Sequence, residues 1–260
     1  MNRPPIAEDA PVAVVTGGAK RVGLAIVEHL AGRGYRVVVH SNSSRDEAQA
    51  VAQRLAAAGS PAVAVAADLR DPASAPRMVA ETLGAFGRVD ALVNSAAIWR
   101  RKRLEEVTVD DLREHWEINA QAMFLACQHF GLAMAAQPSG GAIVNLGDWA
   151  IERPYMDFAA YFPSKGAVPT LTRLFAVELA SRNPRVRVNA ILPGPVLLPP
   201  DLPAAERQQA IDATLVKREG HPRNIAEAAA FLIENDFITG VCLPVDGGRS
   251  IFAGGFSRDG

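Results

Sequence analysis

A parallel α/β sheet covered by helices on both faces is the fold class that this 260-residue sequence predicts, and three observations predict it. Short apolar runs alternate with helical patterns along the chain, as successive βαβ crossovers require. The runs are apolar at nearly every position, as strands buried on both faces must be. A glycine-rich stretch, TGGAKRVG at 16–23, joins the first run to the first helical pattern.

The elements follow in order. VAVVT at 12–16 reads as a strand, followed by a tight loop and a helix in which Leu24, Ile26, Val27 and Leu30 fall at helical spacing. A second strand spans 35–43, a helical pattern (RDEAQAVAQRLAAAG) follows, and a third strand spans 62–69. A helix at 73–86, a strand at 91–96, a long helix at 110–136 and a strand at 141–147 come next. The helix that carries Tyr161 and Lys165 runs to 181 and leads to a strand at 186–193. Residues 194–221 break the alternation with PGPVLLPPDLP and then the helical AAERQQAIDATL; a helix at 223–234 and a strand near 240–245 complete the chain. This gives about seven strands. The length suits one domain over 11–260 after a flexible N-terminus at 1–10, with 194–221 as a short substrate lid.

Composition narrows the partners. A net charge of -1, from 27 basic and 28 acidic residues, argues against a nucleic-acid or anionic-membrane binder and for a small-molecule substrate. Cys127 and Cys242 sit in apolar settings without metal-ligand spacing, so the sequence predicts buried free thiols, no metal and a reducing compartment. No apolar run reaches a membrane span and the N-terminus lacks an apolar signal core, which predicts a cytoplasmic protein.

At a strand-to-helix turn, glycines let the backbone approach a pyrophosphate while the helix N-terminus offers free N–H groups. Gly17, Gly18 and Gly23 fill that role here, although the spacing is not GxGxxG. The second strand ends in His40, Ser41, Asn42, Ser43, Ser44 and Arg45. An NAD site usually carries an acidic residue there for the ribose 2′-OH, and with no carboxylate to repel a 2′-phosphate, NADP(H) is preferred over NAD(H). Read more plainly, the same residues form a polar loop and N-cap.

Tyr161 and Lys165 are four residues apart and share one helix face. An ammonium within a few Å favours the ionised phenol, which would make Tyr161 a usable acid near neutral pH.

With Thr16-Gly17, Asp68, Asn94, Asn119, Tyr161-x-x-x-Lys165 and Pro193-Gly194 in this order, the chain resembles the short-chain dehydrogenase/reductase family over residues 11–250. The resemblance implies a Rossmann-type, doubly wound sheet. It places Asp68 and Leu69 near the adenine and has Asn94 support the cofactor strand. It implies that Asn119 joins a proton relay with Lys165, that Lys165 holds the nicotinamide ribose and that Tyr161 donates the proton. Gly17, Arg21, Val22, Gly23, His40, Asn42, Ser43, Ser44, Ala96, Pro193, Gly194 and Val196 complete the cofactor-binding set. It also implies a homotetramer built on the helices at 110–136 and 162–181.

Two departures narrow the resemblance. Arg21 occupies the middle position of the first turn, where most members have glycine, and Asp148 stands where most have serine, 13 residues before the tyrosine. Both are similar to pteridine reductases, in which the arginine faces cofactor phosphate and substrate and the aspartate hydrogen-bonds the pterin. Trp99 falls where those enzymes carry an aromatic that stacks on the pterin, and Phe158 where the eukaryotic ones have tyrosine; Ala97 replaces their serine. The expected substrate-binding set is therefore Arg21, Trp99, Asp148, Phe158 and Tyr161, and the catalytic set Asp148, Tyr161, Lys165 and Asn119. The expected activity is NADPH-dependent reduction of a pterin or dihydropterin. A carbonyl reductase of the 3-oxoacyl or sugar type and a non-catalytic NADP(H)-sensing protein are the alternatives. Arg100, Arg101, Lys102 and Arg103 read as a solvated basic face or as an attractor for an anionic substrate tail.

Overall fold

The computed structural model describes residue 7 and residues 9–252. The flexible N-terminus expected at 1–10 falls mostly outside them. Seven parallel strands form one sheet in the order β3-β2-β1-β4-β5-β6-β7. They are β1 (Val12–Thr16), β2 (Arg36–Ser41), β3 (Ala62–Ala66), β4 (Ala91–Asn94), β5 (Gly141–Leu146), β6 (Val186–Pro193) and β7 (Cys242–Val245). The order reverses between β1 and β4, and the crevice beyond the strand C-termini at such a point is where α/β sheets bind ligands.

Every residue of β1, β2 and β4 is buried, and side chains alternate between two cores. Ala13, Val15, Val37, Val39 and Val93 pack with Ile26, Val27 and Leu30 of α1 (Arg21–Gly32) and with Ile225, Ala229 and Leu232 of α8 (Pro222–Glu234). Val12, Val14, Val38 and Leu92 face Phe130 and Met134 of α5 (Ala122–Ala136) and Phe175 and Leu179 of α6 (Tyr161–Ala180). α2 (Arg45–Ala57) and α3 (Ser74–Phe86) complete the two helical layers over the β2 and β3 side. Burial of each fully enclosed aliphatic side chain contributes about 1.5 to 3 kcal/mol.

The helix expected at 110–136 is instead two helices. α4 (Val109–Trp116) starts in a capping box in which Thr108 Oγ1 accepts from Asp111 N–H and Asp111 Oδ2 from Thr108 N–H. It passes through a π-helical turn at Glu117–Gln121 into α5. Asn119 lies inside this turn and anchors it: its Oδ1 accepts from Ile98 N–H at 2.8 Å, and its Nδ2 donates to Ile98 O at 3.0 Å. Hydrophobic periodicity does not report a side chain anchored to a distant backbone, and single π-turns inside α-helices are frequent at functional sites.

Residues 194–221 form a clasp with α7 (Ala204–Asp212) inside it. Its two ends meet where Val196 and Gly220 form a bridge and Gly220 N–H donates to Pro195 O. Glu219 accepts from Leu198 N–H at 2.8 Å and from Arg207 at 2.7 Å. Among the described residues, no helix is long and apolar enough to cross a membrane.

Candidate active site

The first turn closes on itself. Gly17 sits at φ +64°, and a Cβ on Gly23 would lie 2.1 Å from the Gly17 carbonyl oxygen. Only two glycines allow the loop and the start of α1 to approach this closely. Thr16 Oγ1 accepts from Ser95 N–H at 3.0 Å and Ala96 N–H at 3.1 Å, which ties the end of β4 to the turn. His40 is turned inward: it is 1% exposed, its Nδ1 accepts from Gly17 N–H at 3.2 Å and its Nε2 lies 3.0 Å from Ala67 O. Burial lowers its imidazole to about 4, so the ring is neutral and pins the turn; its side chain does not face the crevice. Asn42 and Ser43 are exposed, and Ser44 stands at the N-cap of α2 without a side-chain capping bond. The N-cap alternative therefore lacks its hydrogen bond.

The other expected cofactor residues lie in several different settings. Asp68 meets Arg70, whose Nε donates at 3.0 Å and Nη2 at 2.5 Å, and this ion pair holds the carboxyl below its ordinary range. Val22, Leu69 and Val196 pack against the two cores. Asn94 is buried and donates to Asn145 Oδ1 at 2.9 Å, joining β4 to β5. Pro193 ends β6, and a Cβ on Gly194 would lie 2.4 Å from Asp246 Cα, so the base of the clasp lies directly on the turn after β7. Arg21 takes a left-handed conformation at φ +53° and donates to Leu197 O at 2.7 Å, spanning the crevice mouth from α1 to the clasp.

Tyr161, Lys165, Asp148 and Asn119 converge at the C-terminal end of β5. Tyr161 is 4% exposed and donates its hydroxyl to Asp148 Oδ2 at 2.7 Å. Asp148 Oδ1 accepts from Ala150 N–H at 2.8 Å and caps a short 3-10 turn at Trp149–Ile151. Lys165, 3% exposed, donates to Leu146 O at 2.7 Å. Asn119 donates to Ser164 Oγ at 3.0 Å, and Ser164 Oγ donates to Tyr161 O at 2.6 Å. Asn119 thus reaches the Tyr161 helix through Ser164.

Burial dominates the electrostatics at Tyr161. Burial, reinforced by the Asp148 carboxylate, pushes the phenol well above its ordinary value. The Lys165 ammonium is committed to Leu146 O, and burial lowers it to about 8 while Asp148 opposes that fall. Burial also raises the Asp148 carboxyl, against the hydrogen bonds from Ala150 N–H and Tyr161. Tyr161 and Asp148 thus form a hydrogen-bonded pair, while Lys165 Nζ is bound to Leu146 O.

Aromatic rings line the approach. Trp99 stacks on Phe158 at 4.6 Å with 12° between planes, donates to Tyr155 Oη at 3.1 Å and remains 43% exposed. The four basic residues after it are paired: Arg100 with Glu114, Arg101 with Asp157 and Glu206, Lys102 with Asp111, and Arg103 with Glu105. They form a neutralised, solvated face. Sequence reasoning did not find Ser164, Trp149, Tyr155 or Arg249. Ser164 adjoins Lys165 and was open to notice, whereas Arg249 reaches Trp149 only through the fold, its guanidinium 4.5 Å from the ring centroid.

A glycine turn at the sheet's switch point, beside a buried tyrosine and lysine on one helix, defines a nicotinamide-dinucleotide oxidoreductase. The profile of a family described as Enoyl-(Acyl carrier protein) reductase matches residues 17–250. An uncharacterized oxidoreductase of Methylorubrum extorquens is 34% identical over 92% of this chain and 98% of its own length. Galactitol 2-dehydrogenase (L-tagatose-forming) of Cereibacter sphaeroides is 38% identical over 94% of this chain and 96% of its own. A Streptomyces violaceoruber protein named for ketoacyl reduction in granaticin polyketide synthesis is 34% identical over 94% and 98%. The chain belongs to the short-chain dehydrogenase/reductase family and is an NAD(P)-dependent oxidoreductase. None of these three names speaks of a pterin.

Proposed function

We propose that this enzyme uses NADPH to reduce a pterin or dihydropterin at a ring C=N bond. The observation that carries the reading is the 2.7 Å hydrogen bond from Tyr161 to Asp148, a carboxyl at the reacting position. A pterin presents an amino group and ring nitrogens in a row, and a carboxylate accepts from such donors better than a hydroxyl does. The exposed face of Trp99 suits a flat heterocycle, with stacking favourable by about 0.5 to 1.5 kcal/mol.

The chain fits a dinucleotide by its own geometry. The Gly17–Gly23 approach leaves room that a Cβ would fill, and the loop at 42–45 offers Asn42, Ser43, Ser44 and Arg45 with no acid to repel a 2′-phosphate. When bound, the nicotinamide supplies the hydride to the ring carbon. Tyr161, supported by Lys165 and Asn119, and Asp148 hand the proton to the ring nitrogen, directly or through a water, the Tyr161 hydroxyl being the group that carries a proton toward Asp148 Oδ2. Lys165, fixed by Leu146 O, supplies positive charge beside the carboxyl, and Asn119 holds the start of α6 through Ser164.

A second reading, a carbonyl reductase or alcohol dehydrogenase, is favoured by the relatives' names, which speak of galactitol oxidation and ketoacyl reduction. In that case a protonated Asp148 would donate to the carbonyl oxygen in place of a serine. A non-catalytic NADP(H)-sensing role has only the shared fold behind it. We also propose a cytoplasmic homotetramer through α5 and α6, where Phe124, Leu132, Leu174 and Val177 are exposed and apolar.

The test is NADPH oxidation by purified protein with dihydrobiopterin, dihydromonapterin and dihydrofolate, beside acetoacetyl thioester and a keto-sugar. Turnover of a pterin alone supports the first reading. Turnover of a ketone alone replaces it with the second, and turnover of neither sinks both.

A further inference from the structure

The turn after β7 carries a guanidinium that the chemistry above does not use. The Asp246 carboxylate accepts from Gly248 N–H at 2.9 Å and Ser250 N–H at 2.6 Å, which fixes the backbone over 246–250. Arg249 from this turn makes three connections. Its Nη1 donates to Ala210 O at 2.6 Å, in the last turn of α7. Its guanidinium lies 4.5 Å over the Trp149 ring. Its own carbonyl oxygen accepts from Arg153 Nη1 at 3.0 Å, just beyond the 3-10 turn. Trp149 follows Asp148 directly in that turn, and Asp148 caps it. A continuous series of contacts therefore runs from α7 through Arg249 and Trp149 to the carboxyl that holds Tyr161.

The arrangement carries a cost. Arg249 Nε is buried without an acceptor, and a buried unpaired donor costs about 1 to 3 kcal/mol. The stacking on Trp149 and the bond to Ala210 offset it. No residue of the reaction needs this guanidinium for its own hydrogen bonding.

We propose that Arg249 is a positioning residue that transmits the docking of the 194–221 clasp to Asp148, setting the carboxyl against Tyr161 when α7 is seated. The proposal rests on the reading of Tyr161 and Asp148 as the proton site. Its charge acts on the same group. Arg249 and Lys165 both favour the ionised Asp148, against burial. The charged and titratable groups that face Asp148 are Tyr161 and Lys165 from α6, Tyr155 from the loop before it, and Arg249.

Three full-length variants test it. Arg249→Met keeps the stem and removes the charge and the Ala210 bond; Arg249→Lys keeps the charge; Trp149→Leu removes the platform alone. The readouts are the Asp148 titration followed by carbon-13 NMR of labelled aspartate carboxyls, assigned with Asp148→Asn, and limited proteolysis within 204–221. Neither needs a substrate. In Arg249→Met the Asp148 midpoint moves upward and the clasp is cut faster, and with an active substrate kcat falls on the order of tenfold while NADPH affinity holds. In Arg249→Lys the midpoint moves less. An unchanged midpoint, or wild-type clasp cleavage, in folded Arg249→Met overturns the proposal. Should that variant fail to fold, faster clasp cleavage in Trp149→Leu supports it, and wild-type cleavage there overturns it. If the wild type reduces neither pterins nor ketones, the proton-site reading fails, while the NMR and proteolysis still decide whether Arg249 links the clasp to Asp148.

Discussion

Tyr161 donates to Asp148 across 13 residues of chain at 2.7 Å, and this bond organises the site. It joins the first residue of α6 to the cap of the 3-10 turn after β5. The hydrogen-bond donor and its acceptor are thus held by separate elements.

Tyr161→Phe keeps the ring packed near Phe158 and Phe162 and removes the proton. It is expected to lower kcat by about 10² to 10⁴, with NADPH affinity by fluorescence titration unchanged. Undiminished turnover would refute the donor role.

Acid should act first through His40. Its folded value of about 4 lies below its ordinary 6.5, so the unfolded chain binds the proton more readily. The stability it contributes is present above pH 6.5 and is lost as pH falls to 4, by about 3 kcal/mol. A protonated ring also cannot accept from Gly17 N–H. Chemical denaturation and NADPH titration from pH 7 to 4 should fall together, and a His40→Asn variant should flatten both curves. Cofactor affinity independent of pH in the wild type would contradict this.

Gly23→Ala would push a methyl onto the Gly17 carbonyl oxygen, 2.1 Å from the ideal Cβ position. Overpacking of this kind costs about 1 to 3 kcal/mol, and the turn should open. Isothermal titration is expected to show NADPH binding weakened by an order of magnitude or more; wild-type affinity would mean that the turn is not the phosphate cradle.

Cofactor choice should follow the exposed loop after β2. Asn42→Asp places a carboxylate where a 2′-phosphate would come, and the ratio of kcat/KM for NADPH over NADH should fall about tenfold or more. An unchanged ratio would move the discriminating site elsewhere.

Much of this was legible in the chain. The apolar run located β1 to the residue, because a strand buried on both faces leaves few polar gaps, and β6 was located as closely although Arg187 and Asn189 interrupt its apolar run. β2 and β3 end earlier than expected because Asn42, Ser43 and residues 67–69 leave the ladder, Ala67 and Leu69 packing into the core instead. The i,i+4 spacing placed Tyr161 and Lys165 on one face, but spacing does not say which polar atom each head group meets. Lys165 found Leu146 O, and Tyr161 found Asp148. The π-turn at Asn119 and the reach of Arg249 to Trp149 depend on contacts between distant parts of the chain, which no local pattern encodes.

The most direct test of the central claim is steady-state reduction of dihydropterin by Asp148→Ser, beside NADPH binding. Loss of pterin turnover by a hundredfold or more with NADPH affinity intact is the predicted result, since removing an interaction made at the reacting atoms lowers kcat and kcat/KM together. Equal pterin turnover in the wild type and the serine variant would contradict it and leave the carboxyl without a part in the reaction.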